Sequence, residues 1–402
     1  MSLQFITGNS GNGKTKYLFN RIVKEAKANP RDNYLVIVPE QFTMQTQRQL
    51  VDLSENKAIM NIDVLSFKRL AYRVFDELGI TNLTVLEETG KNLVLRKLAA
   101  QEADKLGVIG RNLNRIGYIS EVKSLLSELV QYNISPEELG RYIASGMLSD
   151  TLSDKLKDVL VLYEAFEKFM QDKYITAEEI LNVLSNVAEE SAILRNSVIA
   201  FDEFTGFTPI QNQLIKKLFV ISKKIYVTLT IDCREDIFKS RGMQELFDMP
   251  KRTVKSLTEM AAFYGIEVEE PIILDKNYRL AENEELSFME QQLFRKRRCS
   301  FKKVPKHIHI DCLRDPKQEL TKIARRINEL VRNENLRYRD IAIVTGDVNI
   351  YAGYVREIFD KYNIPYFIDA TQEILFHPFI EFIRSIPDIA AQNFSADAVF
   401  RF

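Results

Sequence analysis

The residues whose spacing carries the most chemistry lie near the N-terminus, where Gly8-Asn9-Ser10-Gly11-Asn12-Gly13-Lys14-Thr15 follows the pattern G-x-x-x-x-G-K-T. That is the pattern of a phosphate-binding loop, and each residue type in it has a mechanical reason. Gly8, Gly11 and Gly13 let the backbone turn through conformations closed to other residues, so that successive N–H groups can point inward at a polyphosphate. Lys14 adds a point charge at the β- and γ-phosphates, and the Thr15 hydroxyl supplies one ligand to Mg²⁺. Far along the chain, the apolar run Ser197-Val198-Ile199-Ala200-Phe201 ends in Asp202-Glu203. With a phosphate loop elsewhere, Asp202 is expected near the same Mg²⁺, through water, and Glu203 where it can orient or deprotonate an attacking water. Together these residues predict a site for ATP and Mg²⁺.

Elements of suitable type surround them. Leu3-Gln4-Phe5-Ile6 has the composition of a buried strand, and the helical spacing of Tyr17, Leu18, Arg21 and Ile22 after the loop aims a helix N-terminus at the phosphates. Tyr34 to Val38 and Ile62 to Leu65 predict further parallel strands, the second leading into an amphipathic helix from Phe67 to Phe75. Between the first of these strands and its successor, Glu40 to Gln47 is rich in amides. It suits either a ligand-facing edge of the sheet or a solvated helix start. From Glu87 to Glu190 helical periodicity takes over, with helix starts at Ser135-Pro136-Glu137-Glu138 and Thr176-Ala177-Glu178-Glu179. The strand pattern resumes at Ser197 and again at Ile225 to Asp232. The order predicts an α/β fold in which residues 1–86 and 191–300 form one RecA-like phosphate-loop domain, interrupted by an all-helical insertion over residues 87–190. A second RecA-like α/β unit, truncated, is expected over residues 301–402, with strands at 307–312, 341–344 and 366–368 and helices from Lys317 to Arg332 and from Tyr354 to Tyr362. His307, His309 and Asp311 would share one face of the first of these strands, as metal ligands or as a plain polar face. The basic run Arg295-Lys296-Arg297-Arg298, with Lys302, Lys303 and Lys306, suits either nucleic-acid phosphate or a solvated linker.

Bulk composition narrows the classes. The 402 residues are 46% hydrophobic and 28% charged, with a net charge of −1, which excludes a generally basic nucleic-acid coat but not a local basic track. No apolar run reaches membrane-spanning length, so a cytoplasmic protein without membrane contact is expected. The three cysteines, Cys233, Cys299 and Cys312, lack the spacing of a disulfide framework, a zinc ribbon or an iron–sulfur site. The apolar, helix-like ending Ala396 to Phe402 suggests the N-terminal part of a longer protein.

Several separated segments resemble superfamily-1 DNA helicases. Besides the phosphate loop, Leu65-Ser66-Phe67-Lys68-Arg69-Leu70-Ala71 is similar to the helicase segment that contacts single-stranded DNA, and Leu274-Asp275-Lys276-Asn277-Tyr278-Arg279 to the L-x-x-N-Y-R motif. Met1-Ser2-Leu3 running straight into the loop, Val38-Pro39-Glu40-Gln41-Phe42-Thr43, Leu65-Ser66-Phe67-Lys68-Arg69-Leu70-Ala71-Tyr72-Arg73 and Phe201-Asp202-Glu203-Phe204-Thr205-Gly206-Phe207-Thr208-Pro209 together resemble the AddB family, one of the two components of the bacterial AddAB helicase–nuclease. The resemblance implies that Arg279 reaches the γ-phosphate and that Gln41, Ser66, Phe67 and Arg69 lie along the DNA path. It also implies single- and double-stranded DNA as substrate, AddA as partner and active motor, and an iron–sulfur cluster with a nuclease domain outside these residues. The family processes double-strand breaks for recombination. An active helicase has Gln-Asp where this chain has Thr205-Gly206, and Gly-Asp-x-x-Gln where it has Ile231-Asp232-Cys233-Arg234-Glu235. ATP binding is therefore expected to outlast turnover, in a protein that scans DNA. The alternative is an autonomous superfamily-1 helicase. A small-molecule kinase is disfavoured by the helical insertion and the L-x-x-N-Y-R segment.

Overall fold

The computed structural model describes residues 1–81, 84–108, 116–146, 148–171, 174–295, 299–370, 374 and 377–401. The chain divides into a unit of residues Met1–Phe301 and a unit of residues Lys302–Phe402.

The first unit is built on a parallel sheet of seven strands. Strand β1 (Ser2–Gly8) runs into a loop over residues 9–13 and then helix α1 (Lys14–Ala28). Strand β2 (Tyr34–Ile37) leads to α2 (Thr43–Leu53), and β3 (Ile62–Leu65) to α3 (Phe67–Leu78). The chain then leaves the sheet through a short strand, β4 (Val85–Leu86), and helices α4 (Glu88–Gln101), α5 (Ile116–Gln131), α6 (Pro136–Ala144) and α7 (Asp150–Met170). It returns through β5 (Ile175–Thr176), which pairs in parallel with β4, and α8 (Ile180–Val187). Strand β6 (Val198–Phe201), α9 (Pro209–Ile221), β7 (Lys224–Thr230), α10 (Asp248–Phe263), β8 (Glu267–Val268), β9 (Ile272–Leu274) and α11 (Glu284–Gln292) complete the unit.

Strand order is β3-β2-β6-β7-β1-β8, with β9 also pairing along β1. Parallel strands covered on both faces read as continuous apolar runs, and these do. Alternation along β1 sends Leu3 and Phe5 to one face, where they join α3, α8, α9 and α10, and Ile6 to the other, where it joins α1 and α2. This arrangement brings the carboxyl ends of β1, β6 and β7 together, which is where open parallel sheets bind ligands.

Helices α4 to α7 bury a core of their own around Leu95, Leu126, Leu162 and Phe166. Helix α8 does not belong to that core, because Ile180, Leu184 and Ala188 pack with the sheet. Inside the helical cluster the Lys91 ammonium is almost wholly buried, held by Glu178 at 2.7 Å and Glu88 at 3.0 Å. A buried cation requires such partners.

In the second unit, helix α12 (Pro316–Asn333) is capped by the Asp315 side chain, which accepts from the Gln318 N–H. It packs Leu320, Ala324 and Ile327 against Ile358 and Phe359 of α13 (Val348–Lys361), and α14 (Pro378–Ala391) and α15 (Ala396–Arg401) follow. Helix α12 stands where the sequence pattern places it, and α13 covers the expected helix but begins earlier, at Val348. The expected strands at 307–312, 341–344 and 366–368 do not form among the described residues, so the second sheet is corrected. The physical reason is pairing: a strand is held by a neighbour's ladder, and these segments have none, leaving Val344 and Phe367 exposed. The carboxylate of Asp311 is bound by Lys322, and no group of three His, Cys, Asp or Glu side chains that could hold a metal ion exists among the described residues. No helix there is long and apolar enough to cross a membrane.

Candidate functional site

The loop between β1 and α1 is gripped from outside by the segment that follows β9. The Tyr278 and Arg279 N–H groups both donate to the Gly11 carbonyl, at 3.0 and 3.3 Å. The Asn277 side-chain amide donates to the Ser10 carbonyl at 3.0 Å, and the Arg279 guanidinium to the Ser10 hydroxyl at 3.4 Å. Asn12 reaches the Leu274 carbonyl at 2.6 Å, and Asn9 reaches Glu290 of α11 at 2.6 Å while accepting from the Cys233 N–H. The glycines allow this closeness. A Cβ on Gly8 would lie 2.5 Å from the Leu274 carbonyl oxygen, and one on Gly11 would lie 2.8 Å from both Arg279 Cβ and Asn277 Oδ1. Gly11 also has φ +88°. Gly11→Ala combines that clash with a left-handed backbone, so it should lower unfolding free energy by roughly 1–3 kcal/mol in a denaturant melt.

Gly13, with φ +79°, is the N-cap of α1, so the positive end of that helix opens into the loop. The Lys14 ammonium is folded back on the loop, donating to the carbonyls of Gly8 at 3.1 Å and Asn9 at 3.0 Å. Burial pulls its pKa below the usual lysine value, opposed by the nearby Glu203 and Asp202 carboxylates. The Thr15 hydroxyl lies 3.3 Å from Asp202 Oδ1 and 3.3 Å from Glu203 Oε1. Asp202 is buried, and its Oδ1 also accepts from the Thr228 hydroxyl. Its other oxygen, Oδ2, is buried with no hydrogen-bond partner. A buried carboxylate oxygen left bare beside a threonine hydroxyl and a second carboxylate is the donor set of a hard divalent cation.

Burial is the main reason the Asp202 pKa lies above the usual aspartate value, with Glu203 adding to it. A raised carboxylate pKa favours the folded state below the unfolded pKa, and that advantage is lost as pH rises through the folded value. A divalent cation needs the ionised form, so its binding should release a proton. Mg²⁺-dependent nucleotide affinity should therefore rise with pH across the acid range above the ordinary aspartate pKa, and Asp202→Asn should remove that slope. Binding titrations at stepped pH check both.

Glu203, just past β6, has φ +64°, a conformation costly for a non-glycine residue. The backbone turn there separates the two acids, with Asp202 inward and Glu203 exposed. These groups open into a cavity of about 780 Å³, within the range of nucleotide pockets. Its lining also includes Gln45 and Gln49 of α2, Phe42 before that helix, and Tyr278 and Arg279.

The candidate residues thus separate into two groups. Gly8 to Thr15, Asp202, Glu203 and Arg279 come together around this cavity. Ser66, Phe67 and Arg69 stand at the start of α3, and Gln41 lies in the Glu40–Phe42 turn, whose Glu40 reaches Ser66. There Gln41 is exposed, while Ser66 and Phe67 are buried. Phe67 packs its ring against Phe201, Phe204 and Phe207, so it offers no free face for stacking. Asp232 faces neither locus: it is buried under Arg234, at 2.6 Å, and Arg295, at 2.8 Å. Arg295 is thereby engaged in an ion pair, and Lys296 to Arg298 of the basic run lie outside the described residues. Sequence reasoning missed Asn277 and Tyr278 as contacts of the loop, although both stand in the motif that supplied Arg279. It also left Gln45 undistinguished within the amide-rich run and did not reach Gln49.

A family model described as "ADDB, N-terminal" matches residues 5–290. Among curated proteins, the chain is 38% identical to the B subunit of the ATP-dependent helicase/deoxyribonuclease of Lachnoclostridium phytofermentans, over 100% of this chain and 35% of that protein. It is 33% identical to the protein of the same name from Clostridium tetani and 33% identical to that from Clostridium acetobutylicum, again over 100% of this chain and 35% of each. The chain therefore spans about a third of the length of the curated relatives it matches.

Proposed function

This chain belongs to the AddB family, and from that premise we propose that it is the nucleotide- and DNA-binding region of a helicase–nuclease component that processes double-strand breaks. Its first unit is read as a RecA-like phosphate-loop domain, with α4 to α7 as an inserted helical domain. The curated relatives are named as ATP-dependent, and ATP is the ligand assigned to the cavity. The loop N–H groups and Lys14 would hold the β- and γ-phosphates, with Arg279, which also lines the cavity, reaching the γ-phosphate. Thr15 and Asp202 would hold Mg²⁺, which when bound neutralises charge on the phosphate oxygens. Glu203 is positioned to hold or accept a proton from water at the mouth of the site. The observation that carries the reading is the buried Asp202 carboxylate, its Oδ1 3.3 Å from the Thr15 hydroxyl, its Oδ2 bare, and the whole group within the electrostatic reach of Lys14.

Turnover is a separate matter. The segment where a motor places its γ-phosphate sensor is here closed on itself by the Asp232 ion pairs. Thr205-Gly206 offers neither the amide nor the carboxylate of the Gln-Asp pair that links nucleotide to motor. The chain is therefore assigned a scanning role on DNA, with translocation supplied by an AddA-type partner and the nuclease and iron–sulfur cluster by parts of the protein outside these residues. The test is ATP binding and hydrolysis with and without single-stranded DNA and the AddA-type partner. Tight binding with negligible hydrolysis by the chain alone supports the proposal; DNA-stimulated hydrolysis without the partner points instead to an autonomous helicase.

A further inference from the structure

Strand β7 runs between the two strands that build the candidate site. Val227 stands opposite Phe201 of β6, which puts Thr228 beside Asp202, and Thr228 itself stands opposite Ile6 of β1, the strand that leads into the loop. Side chains alternate along a strand, so Thr228 shares a face with Tyr226, which packs in one core with Leu18 and Phe19 of α1. Thr228 is buried, lines the cavity and donates its hydroxyl to Asp202 Oδ1. A single carboxylate oxygen thus meets two hydroxyls, Thr228 from the sheet and Thr15 from the first turn of α1, the latter at 3.3 Å. A carboxylate oxygen offers about two good lone-pair positions, so Oδ1 is filled. Oδ2 is buried and has no partner.

We propose that Thr228 is a positioning residue for the cation: it holds the Asp202 carboxylate by Oδ1, so that Oδ2 is the oxygen kept for the metal or for a water bound to it. The inference rests on the ATP–Mg²⁺ reading above. The Asp202 backbone is fixed, its N–H donating to the Ile37 carbonyl at 3.1 Å. Yet the last torsion of an aspartate is broad and roughly two-fold, so an ordered backbone does not decide which oxygen is left free. A side-chain partner must decide it. Thr15 is poorly suited, because its hydroxyl stands 3.3 Å from both Asp202 Oδ1 and Glu203 Oε1 and is itself a ligand for the cation. Thr228 is committed to Asp202 and takes no ligand role. Its β-branched side chain has a restricted χ1 and packs well in a strand, which keeps the hydroxyl aimed. Groups that orient a metal ligand without touching the metal set much of a site's affinity. Support for the cation therefore lies within β7, apart from the segment after it that Asp232 closes on Arg234 and Arg295. A chain built this way keeps Mg²⁺-dependent nucleotide binding even where the sensor pattern downstream is replaced.

The experiment uses the whole chain as wild type, Thr228→Val and Thr228→Ser, with a fluorescent, non-hydrolysable ATP analogue titrated in Mg²⁺ and in chelator. Electron paramagnetic resonance of Mn²⁺, added to the analogue-saturated chain in place of Mg²⁺, reads the metal side. Thermal melts confirm folding, and Thr228→Ala serves as a second variant should Thr228→Val fold poorly. The expected result is Mn²⁺ affinity roughly 10- to 100-fold lower in Thr228→Val, recovered in Thr228→Ser. The tightening of analogue binding by Mg²⁺ should shrink in Thr228→Val, while its affinity in chelator moves far less. Wild-type Mn²⁺ affinity in Thr228→Val overturns the proposal. So does an equal loss in Thr228→Val and Thr228→Ser, which would make side-chain shape rather than the hydroxyl decisive, and so does a loss of analogue affinity as large in chelator as in Mg²⁺. Wild type that binds the analogue but gains nothing from Mg²⁺ overturns the cation reading beneath the proposal, and wild type that binds no analogue overturns the ATP reading.

Discussion

Lys14→Ala should lose nucleotide affinity by about 100-fold, equivalent to about 2.7 kcal/mol, while the folded chain survives intact. The side chain folds over the loop, and Lys14 lines the cavity. Its hydrogen bonds stay within the loop, and it acts on Glu203, Asp202 and Arg279 only through space. Without nucleotide its charge is a burden: burial depresses its pKa, and a depressed lysine pKa means that folding stability from this group is lost as pH falls through the folded value. At neutral pH the charged lysine thus opposes folding slightly, so alanine should melt at or just above the wild-type temperature. What disappears is the rise in melting temperature that a bound ligand produces through mass action. Scanning calorimetry with and without Mg²⁺ and ATP separates the two effects. A variant that still gains stability from ATP would show that Lys14 does not meet the phosphates.

Phe67→Ala should cost roughly 3–5 kcal/mol of unfolding free energy, the range for emptying an aromatic site in a packed core. The ring centroid is 5.5 Å from that of Phe204, 5.8 Å from Phe201 and 6.3 Å from Phe207, and only 8% of the residue is exposed. Phe201 ends the strand that presents Asp202, so the cluster is also the floor beneath the candidate metal ligand. In contrast, DNA affinity of the folded fraction should change little, because the ring points away from solvent. Chemical denaturation paired with DNA titration checks both parts. A nearly neutral stability change with a large loss of DNA binding would restore Phe67 to the DNA path.

How much of this was legible in the sequence depended on whether the information was local. The turn from Gly8 to Gly13, the strand ending at Phe201 and the helix start at Pro136 rest on glycine conformations, apolar runs and caps within a few residues, and all appear where the sequence places them. The resemblance located the segment around Ser66, but a motif does not say which way a ring points. Phe67 turns inward because Phe204 and Phe207, far along the chain, supply its pocket. The grip of Asn277 to Arg279 on Ser10 and Gly11 was hidden for the same reason, since it depends on β9 lying beside β1. The segments at 341–344 and 366–368 show the limit of pattern reading. Their apolar composition is that of strands, yet without a pairing neighbour they remain irregular.

The central claim is that the loop from Gly8 to Thr15 holds the phosphates of Mg²⁺-bound ATP. Its most direct test is an equilibrium titration of the wild-type chain with ATP, in the presence and absence of Mg²⁺, beside Lys14→Ala and Asp202→Asn. The predicted result is saturable binding at one site per chain, tightened by Mg²⁺ in wild type, insensitive to Mg²⁺ in Asp202→Asn and nearly lost in Lys14→Ala. No binding by wild type, or equal binding by wild type and Lys14→Ala, would contradict it.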